Sequence, residues 1–352
     1  MATNLVATIV QDYITDYSAQ RMDKNEQRGS IYGALELFKK QTADPGGILD
    51  PAIKAQIEKS FNSTVKVPVV NYKDVTITNV RTCALQTEGI TSALVTLTAT
   101  TYAFGMLVYP MQHYENYVSY QQTTAKLIDA GLQKMALTID TALVAFLETN
   151  KNQHFPAALT AFYPETGDAF RVPQASKNDV YNQLGAILAT ADYAPTADVL
   201  TNPIGMTMVN RLMAQGANTA TNYEFQFLGY TWFVSNRVAN GVGVESTMYV
   251  VAPGSVAIVF RNSPDAKAKT RIHESKYWDL MPNAPYIGAD LDIYYQADCA
   301  DASAVQASGM ANLTQTKVES WQFSVDVFTL KFYNSAPATT YSPIFKVEIL
   351  AA

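Results

Sequence analysis

The sequence predicts an α+β fold, and three features of the chain indicate it. Residues 89–114 contain no Asp, Glu, Lys or Arg and are rich in Thr, Val, Leu and Tyr, which favour strands. Residues 116–150 repeat apolar side chains every three or four positions, which indicates one long helix. The second half of the chain adds shorter helical patterns and further strand-like runs. The 352 residues are enough for one large or two moderate domains with a real core.

The composition favours burial between subunits. Charged residues make up 16% of the chain, against about 25% in an average soluble domain. The chain has 21 Tyr, 15 Phe and 11 Met, and protein interfaces favour these types while they are poor in Lys, Glu and Asp. A β-rich domain with a Thr- and Tyr-rich surface gives the same composition, so both interpretations stay open at this point.

The charge balance bears on possible partners. The net charge of −6, from 25 Lys and Arg against 31 Asp and Glu, disfavours sequence-specific DNA recognition, which needs a basic surface. Cys83 and Cys299 are far apart and lack a CxxC partner, so we expect free thiols. Thr and Ser interrupt the uncharged stretch, which excludes it as a membrane span, and the N-terminus lacks the basic start of a signal peptide. We therefore expect no membrane partner.

Residues 1–62 are predicted to form short helices separated by polar breaks. The first has an apolar stripe, the second covers residues 31–40, and the third covers residues 52–61; the stripe consists of Val6, Val10, Tyr13 and Tyr17. Pro and paired Gly within residues 42–51 separate the last two helices. Such short helices bury little surface by themselves, so we expect them to lie across another part of the molecule.

Residues 63–112 are predicted to form the strands of a long, hairpin-like excursion. Val65, Val67 and Val69 alternate with other residues, as in a strand with one buried face, and a turn is expected near residues 86–89. The long helix at 116–150 follows, with a predicted length of about 45–50 Å. Its apolar stripe, which we expect to be buried core, consists of Ile128, Leu132, Met135, Ile139, Leu143 and Phe146.

The remaining elements are shorter. A helix is predicted at 177–190 and another at 203–215, where Pro203 occupies the first turn and Gly216 follows the end. Asn240-Gly241 is a strong hairpin signal between predicted strands. The predicted strands of this half are 199–202, 228–238, 247–251, 286–298, 321–333 and 344–350.

No motif for catalysis, cofactor binding or metal binding is present. His113, His154 and His273 lie in unrelated segments without the spacing of a metal site. Asp290 and Asp292 share one strand face, where solvent exposure is a better explanation than a cation site. We therefore predict no catalytic, cofactor-binding or metal-binding residue and no cofactor. Because catalytic groups can be scattered along a chain, this favours a structural role without excluding an enzyme.

The order of the segments carries a resemblance to a known family. A helical arm, a strand excursion and one long helix precede an α/β region in which NPIGMTMVNRLMAQG leads to FLGYTWFVSNRV and STMYVVAPGSVAIVF. This order resembles the major capsid proteins of tailed bacteriophages, the Hong Kong ninety-seven type of fold. Asn202-Pro203 is similar to the family's Asn-Pro segment, and Leu228-Gly229-Tyr230 to its strand entry. Thr231 stands where many members have Pro.

The resemblance implies a division of the chain. Residues 1–62 would be the N-terminal arm, and residues 63–115 the strands of the extended loop that reaches over a neighbour. Residues 116–175 would form the peripheral domain with its spine helix, and residues 176–258 the axial domain. Residues 259–352 would supply the return strands of both domains.

The resemblance also implies a function and partners. The chain would assemble with itself, as hexamers and pentamers, into an icosahedral shell around double-stranded DNA, without sequence-specific binding. A portal would be a further partner. The arm is too short to be a scaffolding domain, which implies either a separate scaffolding protein or an earlier processing event. The location would be the virion, after assembly in the host cytoplasm. The alternatives are a cellular nanocompartment shell of the same fold, another self-assembling phage or surface-layer protein, and a soluble enzyme with scattered catalytic residues.

Overall fold

The computed structural model describes residues 32–44, 47–60, 62–70, 92–110, 117–216, 226–227, 229–301, 315–332 and 337–351. Its α-helices are α1 (Gly33–Ala43), α2 (Pro51–Lys59), α3 (Tyr117–Asn150), α4 (Ala157–Thr160), α5 (Val180–Thr190), α6 (Pro203–Gly216) and α7 (Pro264–Lys267). Its strands are β1 (Thr64–Val70), β2 (Ser92–Thr98), β3 (Thr100–Val108), β4 (Phe170–Val172), β5 (Asp198–Thr201), β6 (Gln226–Phe227), β7 (Tyr230–Val234), β8 (Val244–Val251), β9 (Val256–Arg261), β10 (Arg271–His273), β11 (Lys276–Met281), β12 (Leu291–Asp301), β13 (Gln315–Lys331) and β14 (Ile344–Leu350). The predicted α+β class is confirmed.

The first sheet is built around β13, its longest strand. The strand order is β10-β11-β12-β13-β3, and β9 also pairs with β13. Along one edge of β13, β12 pairs with the first part and β9 with the last part, while β3 pairs along the other edge. Alternate β13 side chains, Trp321, Phe323 and Val325, are buried in the main core on the face that also receives α3.

Helix α3 confirms the predicted long helix and its buried stripe. It has 34 residues, and Ile128, Leu132, Ile139 and Leu143 are each at most 1% exposed. Phe146 is partly buried and packs against the same core. An apolar stripe at helical spacing therefore gave the correct buried face, because side chains three and four positions apart lie on one side of a helix.

Helix α1 lies at the junction of α3 and both sheets. It contacts α3, β9 of the first sheet, and β5 and β7 of the second. Ala34, Leu37 and Phe38 are completely buried. The prediction that the short helices lie across another part of the molecule is confirmed for α1, which is also an integral part of the core. The first predicted helix, with its stripe at residues 6–17, lies outside the described residues.

The second sheet has the strand order β4-β14-β8-β5-β7-β6. It is mixed, because β4 is parallel to β14 and β5 is parallel to β7, while the other pairs are antiparallel. A second core forms where Tyr181 and Leu184 of α5 meet Phe345 and Val347 of β14. Helix α6 begins at Pro203 as predicted. The preceding Asn202 caps it, because its Oδ1 accepts hydrogen bonds from the Gly205 amide (2.8 Å) and from Ser246 Oγ (3.0 Å).

The predicted hairpin at Asn240-Gly241 is wrong. Strands β7 and β8 are not neighbours, because β5 lies between them and pairs with both. The segment does form a tight turn, in which the Val244 amide donates to the Gly241 carbonyl at 3.2 Å, but the turn connects strands that are not adjacent. A turn signal reports local backbone geometry, whereas the identity of the neighbouring strand depends on distant residues.

Candidate assembly surface

A two-stranded ribbon leaves the first sheet, as the predicted excursion requires. Strands β1 and β2 are antiparallel, with Thr64 opposite Thr98 and Val70 opposite Ser92. The connection between them, residues 71–91, lies outside the described residues, together with the predicted turn near residues 86–89 and Cys83. The ribbon is a separate two-stranded sheet, and such a ribbon is marginally stable by itself in water.

The base of the ribbon is anchored in its own subunit. Val65 and Val67 are 4% and 3% exposed and form a small core with Ile57 of α2 and with Phe328 and Leu330 of β13. Two of the alternating valines that predicted a strand, Val65 and Val67, thus face this core. The anchored face fixes the register of β1, since a shift by one residue would turn the valines towards solvent.

Arg261 fixes the point at which the ribbon begins. Its guanidinium donates to the carbonyls of Ser60 (3.0 Å) and Asn62 (2.7 Å) and pairs with Asp326 of β13 at 2.6 Å. The same group stacks over the Phe328 ring at 4.9 Å. The planar guanidinium, with its fixed fork of donors, can hold two backbone carbonyls and a carboxylate together. Arg261 thus ties the start of the ribbon to β13 beside the small core that anchors the ribbon.

From the ribbon into β3, the chain presents an uncharged and exposed face. No residue of the described segment 92–110 carries a charge, and none from position 94 to position 107 is fully buried. Leu94 is 67% exposed and Leu107 is 58% exposed. Exposed and half-buried residues alternate along β3, so one face of the strand lies open while the other faces α3.

Two shallow clefts lie between β3 and α3, on either side of Tyr102. One, of about 300 Å³, is lined by Ile139, Leu143 and Phe146 of α3 and by Thr100 of β3. The other, of about 280 Å³, is lined by Phe104 and Met106 of β3 and by α3 residues that include Leu127, which is 41% exposed. Both clefts have predominantly uncharged walls.

A buried carboxylate fixes the position of α1 relative to α3. Asp140 of α3 is fully buried; its Oδ1 accepts the Leu35 amide at 3.1 Å and its Oδ2 accepts the Ser235 hydroxyl at 2.6 Å. Burial raises the pKa of Asp140 above its usual value, against the opposing effect of these hydrogen bonds and of nearby Arg237. Asp140 thus holds α1 and the end of β7 in fixed positions relative to α3.

A charged cluster joins the C-terminal end of α3 to the second sheet. Glu148 accepts hydrogen bonds from Lys151 (2.8 Å), Lys346 (3.1 Å) and Tyr249 (2.6 Å). Lys346 also pairs with Glu348 of β14 at 3.0 Å. Burial raises the pKa of Glu148, but these hydrogen bonds outweigh it and lower the pKa to about 2.

Two of the three histidines of the sequence analysis, His154 and His273, lie in the described part of the chain. His154 contacts the Ala338 carbonyl at 3.0 Å, and His273 contacts Ser275 at 3.0 Å. His113 lies outside the described residues. Among the described residues, no group of three or more His, Cys, Asp or Glu side chains could hold a metal ion.

The expectation of a solvated face at Asp290 and Asp292 is wrong for Asp292. Asp290 is exposed, whereas Asp292 is 5% exposed, and its Oδ2 accepts the Ser263 amide at 2.7 Å. Strand β12 begins at Leu291, and the Ser263 turn covers its first residues. Burial raises the pKa of Asp292. Asp290 precedes the strand, so the spacing of two residues does not place these two carboxylates on one strand face.

Within the described part of the chain, one helical segment is long and apolar enough to cross a membrane by length and composition, namely Thr123–Asn150 of α3. In its most apolar window, 44% is buried inside the protein. Leu132, Ile139 and Leu143 of this segment belong to the main core with Trp321 and Phe323. The core helix of a water-soluble protein passes the same composition test.

Comparisons with known proteins give distant structural similarities. No protein-family model and no curated protein matches the sequence. A chain of Mycobacterium phage Bobi is 15% identical with a TM-score of 0.46, and the match covers 91% of each chain. A capsid chain of a native GTA particle is 11% identical with a TM-score of 0.47, covering 88% of this chain and 94% of that one. A chain of the holo-SrpI encapsulin complex from Synechococcus elongatus is 10% identical with a TM-score of 0.42, covering 81% of each chain. This α+β chain is thus similar in overall path to chains of a phage, a GTA capsid and an encapsulin.

Proposed function

We propose that this chain is a major capsid protein of a tailed phage, which self-assembles into an icosahedral shell around the viral DNA. The observation that carries the proposal is the uncharged run from Leu94 to Leu107, in which no residue is fully buried. This run continues from the base of the ribbon, which is anchored in the subunit's own core. The order of elements supports it, since an arm helix, a ribbon, a long helix and two sheets follow one another as the resemblance implies.

The exposed run gives a physical reason for assembly. Complete burial of a Leu side chain contributes about 1.5–3 kcal/mol, so covering Leu94 and Leu107, at 67% and 58% exposed, would contribute about 1–2 kcal/mol each. The segment has no charge whose desolvation would oppose this gain. A ribbon that is marginal in water becomes ordered when it lies on another surface, and in a shell that surface is the adjacent subunit.

The composition fits the proposed partners. Hexamers and pentamers of the same chain would share the uncharged run as a contact. A net charge of −6 allows the inner surface to face packaged double-stranded DNA without binding it tightly. A portal and a separate scaffolding protein belong to the same proposal, as does a virion location after assembly in the host cytoplasm. The proposed role is structural, without catalysis.

The test is particle formation by the purified chain. Size-exclusion chromatography and negative-stain electron microscopy are expected to show closed, megadalton particles. A small, homogeneous oligomer that stays small when the protein is concentrated or co-expressed with its neighbouring genes would contradict the proposal and favour a soluble enzyme. Filaments or flat sheets would favour another self-assembling structural protein.

A nanocompartment shell is the nearest rival, and the particle contents separate the two. Particles isolated from the cells that produce them naturally are treated with nuclease, and the protected contents are then extracted. Protected double-stranded DNA of uniform length is expected. Particles that protect a folded protein cargo and no DNA would assign the chain to a cellular compartment instead.

A further inference from the structure

Strand β3 ends the first sheet on one side. Along its whole length it pairs with β13, from Thr100 opposite Val327 to Val108 opposite Glu319. Among the described residues, no strand pairs with the second edge of β3. The backbone N–H and C=O groups along that edge are available for pairing with another chain.

The sequence of β3 lacks the features that protect exposed edges. The strand reads TTYAFGMLV, with no Lys, no Pro and no charge of either sign. Its pairing with β13 runs through nine consecutive positions without a bulge. Native edge strands are usually short, charged, bulged or covered, because an open edge invites further strands. Strands average five to six residues, so β3 is also a long edge.

We propose that β3 pairs, antiparallel, with β3 of a second copy of this chain across a two-fold axis, which joins two first sheets into one continuous sheet. This contact is additional to the proposed bridging role of the β1–β2 ribbon. It would connect subunits related by a two-fold axis, as exist between neighbouring assemblies in any icosahedral shell.

The second copy is the occupant that the chemistry of β3 favours. An isologous contact places the same patch on both sides, so a strand with any charge near the axis would meet its own charge. β3 has none. Thr101 and Leu107 lie near opposite ends of the exposed face, so an antiparallel partner brings these two ends side by side without a like-charge pair.

The clefts beside β3 give room for the partner's side chains. The inward-facing residues of β3 are the large Tyr102, Phe104 and Met106, which pack against the main core. The β3 strand of the second copy would present its own large side chains on the same side of the joined sheet, beside those of the first copy. The two clefts between β3 and α3, at about 300 and 280 Å³, lie at that level, and Lys134 at the second is the only charged residue among the described residues that line them.

A cysteine scan tests the pairing directly. Single cysteines replace Thr101, Ala103, Gly105 or Leu107, the exposed positions of β3, in a chain that also carries Cys83→Ser and Cys299→Ser. Gly105→Cys fits, because the nearest atom to an added Cβ is the Trp321 carbonyl oxygen at 3.6 Å. A chain with one cysteine forms a disulfide only with the same residue of another copy, so a crosslink reports a two-fold contact.

The control is Gln322→Cys, which is exposed on the same face but lies on β13, directly opposite Gly105. Assembled protein is oxidised with diamide and run on a non-reducing gel. Facing residues of an antiparallel pair have Cα atoms about 4.5–5.5 Å apart, within the range of a disulfide, whereas diagonal neighbours are about 7–8 Å apart. We expect strong dimer formation at one β3 position and none at Gln322→Cys.

If the two-fold axis passes through an inward-facing residue, each exposed residue faces a different exposed residue of the partner. A mixture of two variants, such as Ala103→Cys with Gly105→Cys, detects this case. A crosslink that appears only in the mixture then places the axis at the residue between them and supports the proposal equally. Folded, particle-forming variants that give no β3 dimer, alone or mixed, overturn the β3 pairing and leave the shell proposal intact. β3 dimers in a chain that never forms particles would support the pairing and contradict the shell. Crosslinking at Gln322→Cys as strong as at the β3 positions would also overturn the β3 pairing.

Discussion

At the scale of single residues, the buried carboxylate of Asp140 links elements that meet at the main core. Asp140 is fully buried, yet both of its oxygens have partners, on α1 and at the end of β7. A buried acceptor with satisfied hydrogen bonds costs little, whereas a donor that loses its partner costs the full desolvation penalty. The sequence gives no signal for this role, since an Asp in a helix with an apolar stripe is expected on the solvent side.

Asp140→Ala is therefore expected to be strongly destabilising. It leaves the Leu35 amide and the Ser235 hydroxyl buried without their acceptor, at about 1–3 kcal/mol for each group. Asp140→Asn keeps one acceptor oxygen and should lose less. Urea unfolding of the unassembled subunit, followed by circular dichroism, measures the free energy of unfolding. Glu58→Gln, an exposed change on α2, is the control, and an Asp140→Ala loss no larger than that of this control would contradict the assigned role.

The Glu148 cluster predicts a pH dependence of stability. Its hydrogen bonds lower the folded-state pKa from 4.5 to about 2, so the contribution of the carboxylate is complete above about pH 4.5. It is lost as the pH falls from about 4.5 towards 2, where the folded state also takes up the proton. The effect is small, because the side chain is 41% exposed and solvent screens the interaction.

The check compares the midpoint of thermal unfolding for the wild type and for Glu148→Gln between pH 7 and pH 2.5. The wild type should be more stable near neutral pH, and the difference should shrink below about pH 4.5. A constant difference across this range would mean that the ionisation of Glu148 does not contribute to the link between α3 and β14.

At the scale of elements, local patterns were reliable for helices and less so for strand partners. The stripe of α3 and the Asn202-Pro203 start of α6 depend on residues within a few positions, and both are confirmed. The Asn240-Gly241 turn also forms, but its strands are separated by β5, whose position depends on pairing with residues 33 to 53 positions away in the sequence. Asp292 is buried because the Ser263 turn covers it, a contact across 29 positions.

Leu143→Asp tests the role of α3 as a core element. Leu143 is 1% exposed, so an Asp there is a buried carboxylate without a partner, one of the costliest single changes. We expect insoluble or unfolded subunits rather than folded free ones, measured by solubility and circular dichroism. Thr141→Asp, an exposed position two residues earlier, should leave the fold intact. Normal particles from Leu143→Asp would mean that this face of the helix is not core.

At the scale of the whole molecule, the ribbon and β3 serve two purposes. The base of the ribbon, at Val65 and Val67, belongs to the subunit's own core, whereas one face of β2 and β3 lies exposed. The uncharged composition of residues 89–114, which include β2 and β3, was visible in the sequence and predicted an assembly role. Which part is anchored and which part is free depends on Ile57, Phe328 and Arg261, whose contacts with the ribbon no local pattern announces.

Shortening the ribbon separates folding from assembly. If the segment paired mainly within its own subunit, removing its far part would unfold the protein. The anchored base, however, lies at Val65 and Val67 and at the partly buried Leu97 and Ala99, all outside a replacement of residues 82–92 by a short Gly/Ser turn. This variant is therefore expected to keep its secondary structure and to lose stable particles, because the contact with the adjacent subunit is missing.

Circular dichroism reports the fold of this variant, and size-exclusion chromatography reports its assembly. Val242→Ser, at a fully exposed turn of the second sheet, is the control that should keep both. The reason for expecting separation is that the residues beyond the base carry Thr at many positions rather than the large apolar side chains of a core hairpin. A shortened variant that loses its secondary structure would show that the ribbon is needed for folding. One that still builds robust particles would show that the subunits are held together elsewhere, with the β3 edge as the first place to look.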